Sequence, residues 1–222
     1  TFDDDLERVE RELGVEIIAE ETGRRLARDG AYAHIEFRDF DYGTISAAFA
    51  AFGVELQPDA LALAVFDHGA APPDVSDRQF RMDYLAGRLR ADRRLSALAY
   101  RSDAVPAIMT RLRALADTAT AQSGLPVIVM DTAPAAVLGA LDDPRVGGHL
   151  HPVVVNIGNF HTLAFQFRDG QFVRLFEHHT GELTPERLDY LRRVLPPYER
   201  NAVPADLFRN ERPQTLVLPI ET

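Results

Sequence analysis

VVVNIGNFHTLAFQF, residues 153–167, holds two apolar runs separated by a polar centre that contains a glycine. The spacing predicts a β-hairpin, with one strand over Val153-Val154-Val155 and the next over Thr162 to Phe167. In the second strand Leu163, Phe165 and Phe167 share one face, and Thr162, Ala164 and Gln166 share the other. Arg168-Asp169-Gly170 is turn chemistry that returns the chain into a third strand, Phe172 to Phe176. Thr184 then caps, and Pro185 starts, a helix to about Leu195, and a last strand follows near Leu216 to Leu218. The order expected from residue 152 onward is three strands, a helix and a strand.

Upstream the pattern alternates helices and buried strands. Phe2, Leu6, Val9 and Leu13 recur at helical spacing behind Asp3, Asp4 and Asp5, and Gly14 stops that helix. Short strands are expected at Val15 to Ala19 and around His34 to Phe37, then an alanine-rich helix from about Thr44 to Phe52. Leu61 to Phe66 reads as a buried strand that ends in Asp67-His68-Gly69. Ser76 and Gln79 fit a capping box for a helix through Arg94, and Pro106 fits the first position of a helix to about Ala119. Val127 to Met130 is another buried strand, followed by Asp131-Thr132, a small-residue helix over Pro134 to Leu141, and a linker from Asp142 to His151. The expected division is an α/β half over residues 1–144 and a βββαβ half over residues 145–222.

Composition removes several functions. The 222 residues include no cysteine, which excludes thiol nucleophiles, thiolate zinc sites and a cysteine-held iron–sulfur cluster from this chain. All 24 basic residues are arginine, so Schiff-base chemistry and a phosphate-loop lysine are excluded too. A net charge of −10 with scattered arginines argues against nucleic acid as a partner. No apolar run reaches the ~18 residues of a membrane span. The chain therefore reads as a soluble, cytoplasmic α/β protein with a small-molecule ligand. With neither an initiator methionine nor a signal region at Thr1, upstream sequence is expected to be missing. The sequence leaves oligomeric state open.

Five segments carry candidate chemistry. In the hairpin, Gly158 would let a ligand approach the backbone while Asn156, Asn159 and Thr162 donate to phosphate oxygens; an ordinary β-turn is the competing reading. At the end of the third strand, Glu177 and His179 share one face and His178 the other, so Glu177 and His179 are candidates for metal binding or acid–base work. Asp67 and His68 sit at a strand end, where open α/β sheets place ligands, with Asp67 a further candidate metal ligand. Asp131 and Thr132 repeat that pattern, with a helix cap as the competing reading. Asp77, Arg78 and Arg81 open a helix; Arg78 is a candidate ligand contact, and a solvated first turn is the alternative. His161, inside the hairpin, is a further catalytic candidate.

Residues 127–141 together with 153–167 resemble the actin-like ATPase superfamily, in which a strand and an alanine-rich helix precede a strand ending in Asp-x-Gly-x-x-Thr, the second phosphate-binding hairpin. Asn156 stands where the aspartate is usual, Gly158 matches the glycine, and Thr162 is displaced by one position. The aspartate serves the metal–nucleotide complex, and a neutral amide lacks that charge. A closer resemblance joins Asp67-His68-Gly69, the Ser76 to Arg81 segment, Asp131-Thr132, the 156–162 hairpin and Glu177 to Gly181. These look like an uncharacterised prokaryotic family labelled "pyruvate formate-lyase activating enzyme-related". A radical-generating activase needs cysteines for its cluster, so the labelled chemistry does not transfer to a cysteine-free chain. The resemblance implies a ribonuclease H-like, actin-like architecture of mixed sheets with flanking helices, truncated at both ends.

Three functional readings follow. The first is a phosphate- or nucleotide-related enzyme on a small metabolite, using Mg or Mn held by carboxylates. The second is a metal-dependent hydrolase or isomerase using Asp67, His68, His161, Glu177 and His179. The third is a catalytically inactive binding module. The first two require these distant segments to meet.

Overall fold

The computed structural model describes residues 6–30, 32, 38–72, 75–158, 161–179, 186 and 214–217. In chain order these form α1 (Leu6–Leu13), α2 (Glu20–Arg28), α3 (Tyr42–Ala51), β1 (Leu61–Ala64), α4 (Asp77–Ala91) and β2 (Ala99–Arg101). Then come α5 (Thr110–Ser123), β3 (Val127–Met130), α6 (Thr132–Asp142), α7 (Pro144–Gly147), β4 (Val153–Ile157), β5 (His161–Arg168), β6 (Gln171–His179) and β7 (Gln214–Val217). The protein is mixed α/β, with two small sheets and helices between and around them.

The first sheet has the order β1-β3-β2, with β1 parallel and β2 antiparallel to β3. Val127 and Val129 turn one face of β3 onto Leu112, Leu115, Ala116 and Ala119 of α5. On the opposite face Ile128 is exposed, but Met130 is buried against Met82 of α4 and Val137 of α6. The second sheet is an antiparallel ribbon, β4-β5-β6-β7. Leu163, Phe165, Phe167, Phe172 and Leu175 pack with Leu85, Leu89 and Val137, so α4 and α6 share one core with this ribbon. The two sheets are thereby joined through the same pair of helices, and the C-terminal ends of β1 and β3 face the open end of the β5–β6 hairpin.

Local chemistry explains most boundaries. Asp41 caps α3 by accepting from Thr44 N at 2.9 Å, and Asp143 caps α7, with Pro144 at its first position. Gly124, with φ 68°, ends α5. The β5–β6 turn is the two-residue kind, with Asp169 at φ 51° and Gly170 at φ 75°. A register shift opposite Gln166 and Phe167 leaves Val173 as the extra residue of a bulge in β6.

Several expectations need correction. Residues 15–19 are exposed and form no strand; Val15 and Ile17 have no ladder to join, and α2 begins at Glu20. Ser76 makes no side-chain cap to α4, and Gln79 donates forward to Asp83 Oδ1 at 2.9 Å, so the expected capping box does not form. The helix ends at Ala91, short of Arg94. Pro106 lies in a turn, accepting from Met109 N, and α5 begins at Thr110. The linker after α6 contains the short helix α7, and β2 is a strand the periodicity did not signal. β5 alternates as expected, yet Thr162 and Ala164 are as buried as Leu163 and Phe165, so both its faces are covered. The strand expected at His34 to Phe37 and most of the helix expected from Thr184 to Leu195 lie outside the described residues. Among the described residues no helix is long and apolar enough to cross a membrane.

Candidate functional site

The chain leaves β1 through Val65 and Phe66 into Asp67, whose carboxylate is used up locally. Its Oδ1 accepts from Gly69 N and its Oδ2 from Leu112 N, both at 2.8 Å. The second bond places a side-chain acceptor on the first turn of α5, which has no capping side chain of its own. Gly69 sits at φ 79°, and a Cβ there would lie 3.0 Å from the Phe80 ring. This turn is therefore tied to α4 and α5, and it aims His68 toward the second sheet.

Asp131 caps α6, accepting from Ala133 N at 2.9 Å, and also accepts from Asp67 N at 3.0 Å. The cap reading of Asp131 thus holds, and the carboxylate has a further partner. Arg81, on α4 and 4% exposed, sends Nη1 to Asp131 Oδ2 at 3.1 Å and Nη2 to Asp131 Oδ1 at 3.4 Å. Its Nη1 also reaches the Asp67 carbonyl at 3.3 Å, and its Nε stands 3.3 Å from Glu177 Oε2. Burial alone would weaken its charge, but Asp131 and Glu177 more than offset that, and Arg81 stays a guanidinium. It lies over the Phe66 ring, 5.1 Å from the centroid.

Strand alternation places Asn156, His161, Leu163 and Glu177 on one face of the second sheet, since Asn156 pairs with Leu163 and Leu163 with Glu177. Glu177 Oε1 is 3.2 Å from His161 Nδ1. Burial pushes the Glu177 carboxyl upward, yet the His161 contact and the Arg81 charge override it and hold its pKa below the ordinary value. The His161 ring is 5.6 Å from that of His68 and 4.7 Å from that of Phe66. Burial, the Arg81 charge and neighbouring His161 bring His68 down to about 4, so it is neutral at pH 7.

The strand-end loop at 67–69, the cap at 131, the hairpin and the tip of β6 therefore meet. Thr162 does not join them: it pairs with Ile157 and His178 on the opposite face, where its Oγ1 is buried without a hydrogen-bond partner. Thr132 is exposed in the first turn of α6. Gly158 closes the hairpin by donating to the His161 carbonyl at 2.8 Å, and a Cβ there would stand 3.1 Å from that oxygen. His179 lies opposite His161 in the register, but its side chain and that of Arg78 are outside the description, as is Asn159 entirely. Among the described residues no group of three His, Asp or Glu side chains is arranged to hold a metal ion. Behind Arg81 the interior has a cavity of about 20 Å³ bordered by Tyr84, Tyr100 and Met109, room for about one water. The rings of Phe66, His68 and His161 are half-buried.

From the sequence, Arg81 falls in the candidate segment that opens α4, with a solvated first turn as the competing reading and no role of its own. The signal that could have found it is its phase: it lies four and eight residues before Leu85 and Leu89, in the apolar stripe of α4. An arginine in such a stripe needs buried carboxylates, and two of the candidates supply them.

No curated protein and no solved structure matches the chain. A family model does match, over residues 1–199, and its description reads "Putative pyruvate format-lyase activating enzyme (DUF1786)". With that span covered, the chain belongs to the DUF1786 family.

Proposed function

We propose that this protein is an enzyme that acts on a small polar metabolite by general acid–base chemistry at the mouth between its two sheets. The observation that carries this reading is the His161–Glu177 pair set against a second, neutral imidazole, His68. The carboxylate orients one ring nitrogen of His161, and the other is the nitrogen that would exchange a proton with a substrate. His68 can accept or donate a hydrogen bond without adding charge. Arg81 stands where a divalent ion would have to bind between Asp131 and Glu177, so the reading needs no metal at that point. The competing use of Asp67, Glu177 and His179 as Mg or Mn ligands would require the Asp67 carboxylate to leave two backbone N–H groups.

A second reading, nucleotide or phosphate binding on an actin-like, ribonuclease H-type scaffold, is favoured by the β4–β5 hairpin. Its glycine approaches the opposite strand closely, and Asn156 shares the face of His161 and Glu177. The antiparallel run β4-β5-β6 suits that scaffold, with β7 attached at the β6 edge.

A thermal-shift screen of phosphorylated and unphosphorylated metabolites, with and without magnesium, separates the readings. The acid–base reading expects a ligand that stabilises the protein without metal and loses its effect in His161→Asn. A ligand whose effect survives both His161→Asn and Glu177→Gln would overturn it. Stabilisation by magnesium–ATP that vanishes in Asn156→Ala would favour the second reading.

A further inference from the structure

A base on His161 works only if its proton is on the correct nitrogen, and the surrounding side chains bear on that choice. Nδ1 faces Glu177 Oε1 at 3.2 Å, while Glu177 Oε2 faces Arg81 Nε at 3.3 Å. Each oxygen of this carboxylate therefore faces a different neighbour, His161 on the adjacent strand β5 and Arg81 on helix α4. Arg81 is in turn held by both oxygens of Asp131 and by the Asp67 carbonyl. Asp131 cannot swing away without releasing Ala133 N and Asp67 N, the anchors of α6 and of the 67–69 turn. The row runs from a helix cap, through a guanidinium and a carboxylate, to an imidazole.

We infer that Arg81 is a positioning residue, which through Glu177 holds His161 in the tautomer protonated at Nδ1, so that Nε2 is the basic nitrogen of the ring. An ionised carboxylate can only accept, so a neutral imidazole facing it must place its hydrogen on the facing nitrogen. Without Arg81 the Glu177 carboxylate would lose the ion pair at its second oxygen. Buried ion triads are often no more stabilising than apolar replacements; this one supplies a fixed carboxylate direction. The inference rests on the reading of His161 as the acid–base group, but its test needs no substrate.

The test is the ring nitrogen spectrum of His161 in ¹⁵N-labelled protein at neutral pH, assigned with His161→Asn. The expected result is a predominantly Nδ1-protonated ring in the native protein. The ratio of Nδ1–H to Nε2–H should fall by about threefold or more in Arg81→Lys, which keeps the charge and loses the planar fork. Asp131→Asn, which still caps α6, loosens the far end of the row and serves if Arg81→Lys does not fold. An Nε2-protonated ring in the native protein, or an unchanged ratio in either folded variant, overturns the inference. A ligand response blind to His161→Asn would instead remove the acid–base reading and leave the tautomer result standing.

Discussion

Arg81 carries a full charge at 4% exposure, and its neighbours decide what that costs. Removing its charge by Arg81→Met leaves Asp131 and Glu177 facing each other without a cation. Urea unfolding should show a loss of about 3–5 kcal/mol, the range for breaking a buried ion pair from one side. Glu177→Gln is gentler, because Arg81 keeps Asp131 and the amide can still meet His161; about 1–2 kcal/mol is expected. The order of the two losses is the informative result, and equal losses would mean Arg81 is not the centre of the network. Gly69 poses a different problem at the same scale. At φ 79° and 3.0 Å from the Phe80 ring it has no room for a methyl group, so Gly69→Ala should cost about 1–2 kcal/mol and weaken the turn that presents His68.

At the scale of elements, Asp131 does two jobs that substitution can separate. Asp131→Asn keeps an N-cap for α6 but loses the charge that Arg81 uses, whereas Asp131→Ala loses both. The alanine variant should be less stable than the asparagine variant by about 1 kcal/mol, measured by denaturant unfolding. The parts of the fold legible in the sequence were those set by neighbours along the chain. The β4-β5-β6 ribbon belongs here, because Asp169 and Gly170 provide a left-handed turn at the spacing the flanking apolar runs require. So does α6, capped by the aspartate that precedes it. Elements that depend on distant partners were misread. Residues 15–19 have strand composition but no ladder, and β2 exists only because β3 pairs with it. The first turn of α5 borrows its acceptor from Asp67, 45 residues earlier, which no local capping rule could show. Arg81 was readable from helical phase, but its partners were not, since they come from β6 and from the start of α6.

For the whole molecule, the layering of α4 and α6 against both sheets brings the strand ends into one place, and that layering also makes the protein sensitive to acid. His68 has an ordinary value of 6.5 in the unfolded chain and about 4 in the fold, so the unfolded chain binds more protons between those limits. Its contribution to stability is present above pH 6.5 and is lost as the pH falls toward 4. Allowing for its partial access to solvent, this loss should be about 2 kcal/mol. Glu177, held below its ordinary value, adds to the loss in more acid solution. Unfolding measured across this range should show a steeper acid decline in the native protein than in His68→Gln, which has no proton to bind; parallel declines would mean that His68 is not the buried neutral group described.

The account depends most on the two sheets sharing one charged network through Arg81. A double-mutant cycle between Asp131→Asn and Glu177→Gln, read by urea unfolding, measures this directly, because both carboxylates meet that guanidinium. Shared use of Arg81 predicts a coupling on the order of 1 kcal/mol, and losses that add within about 0.3 kcal/mol would contradict it.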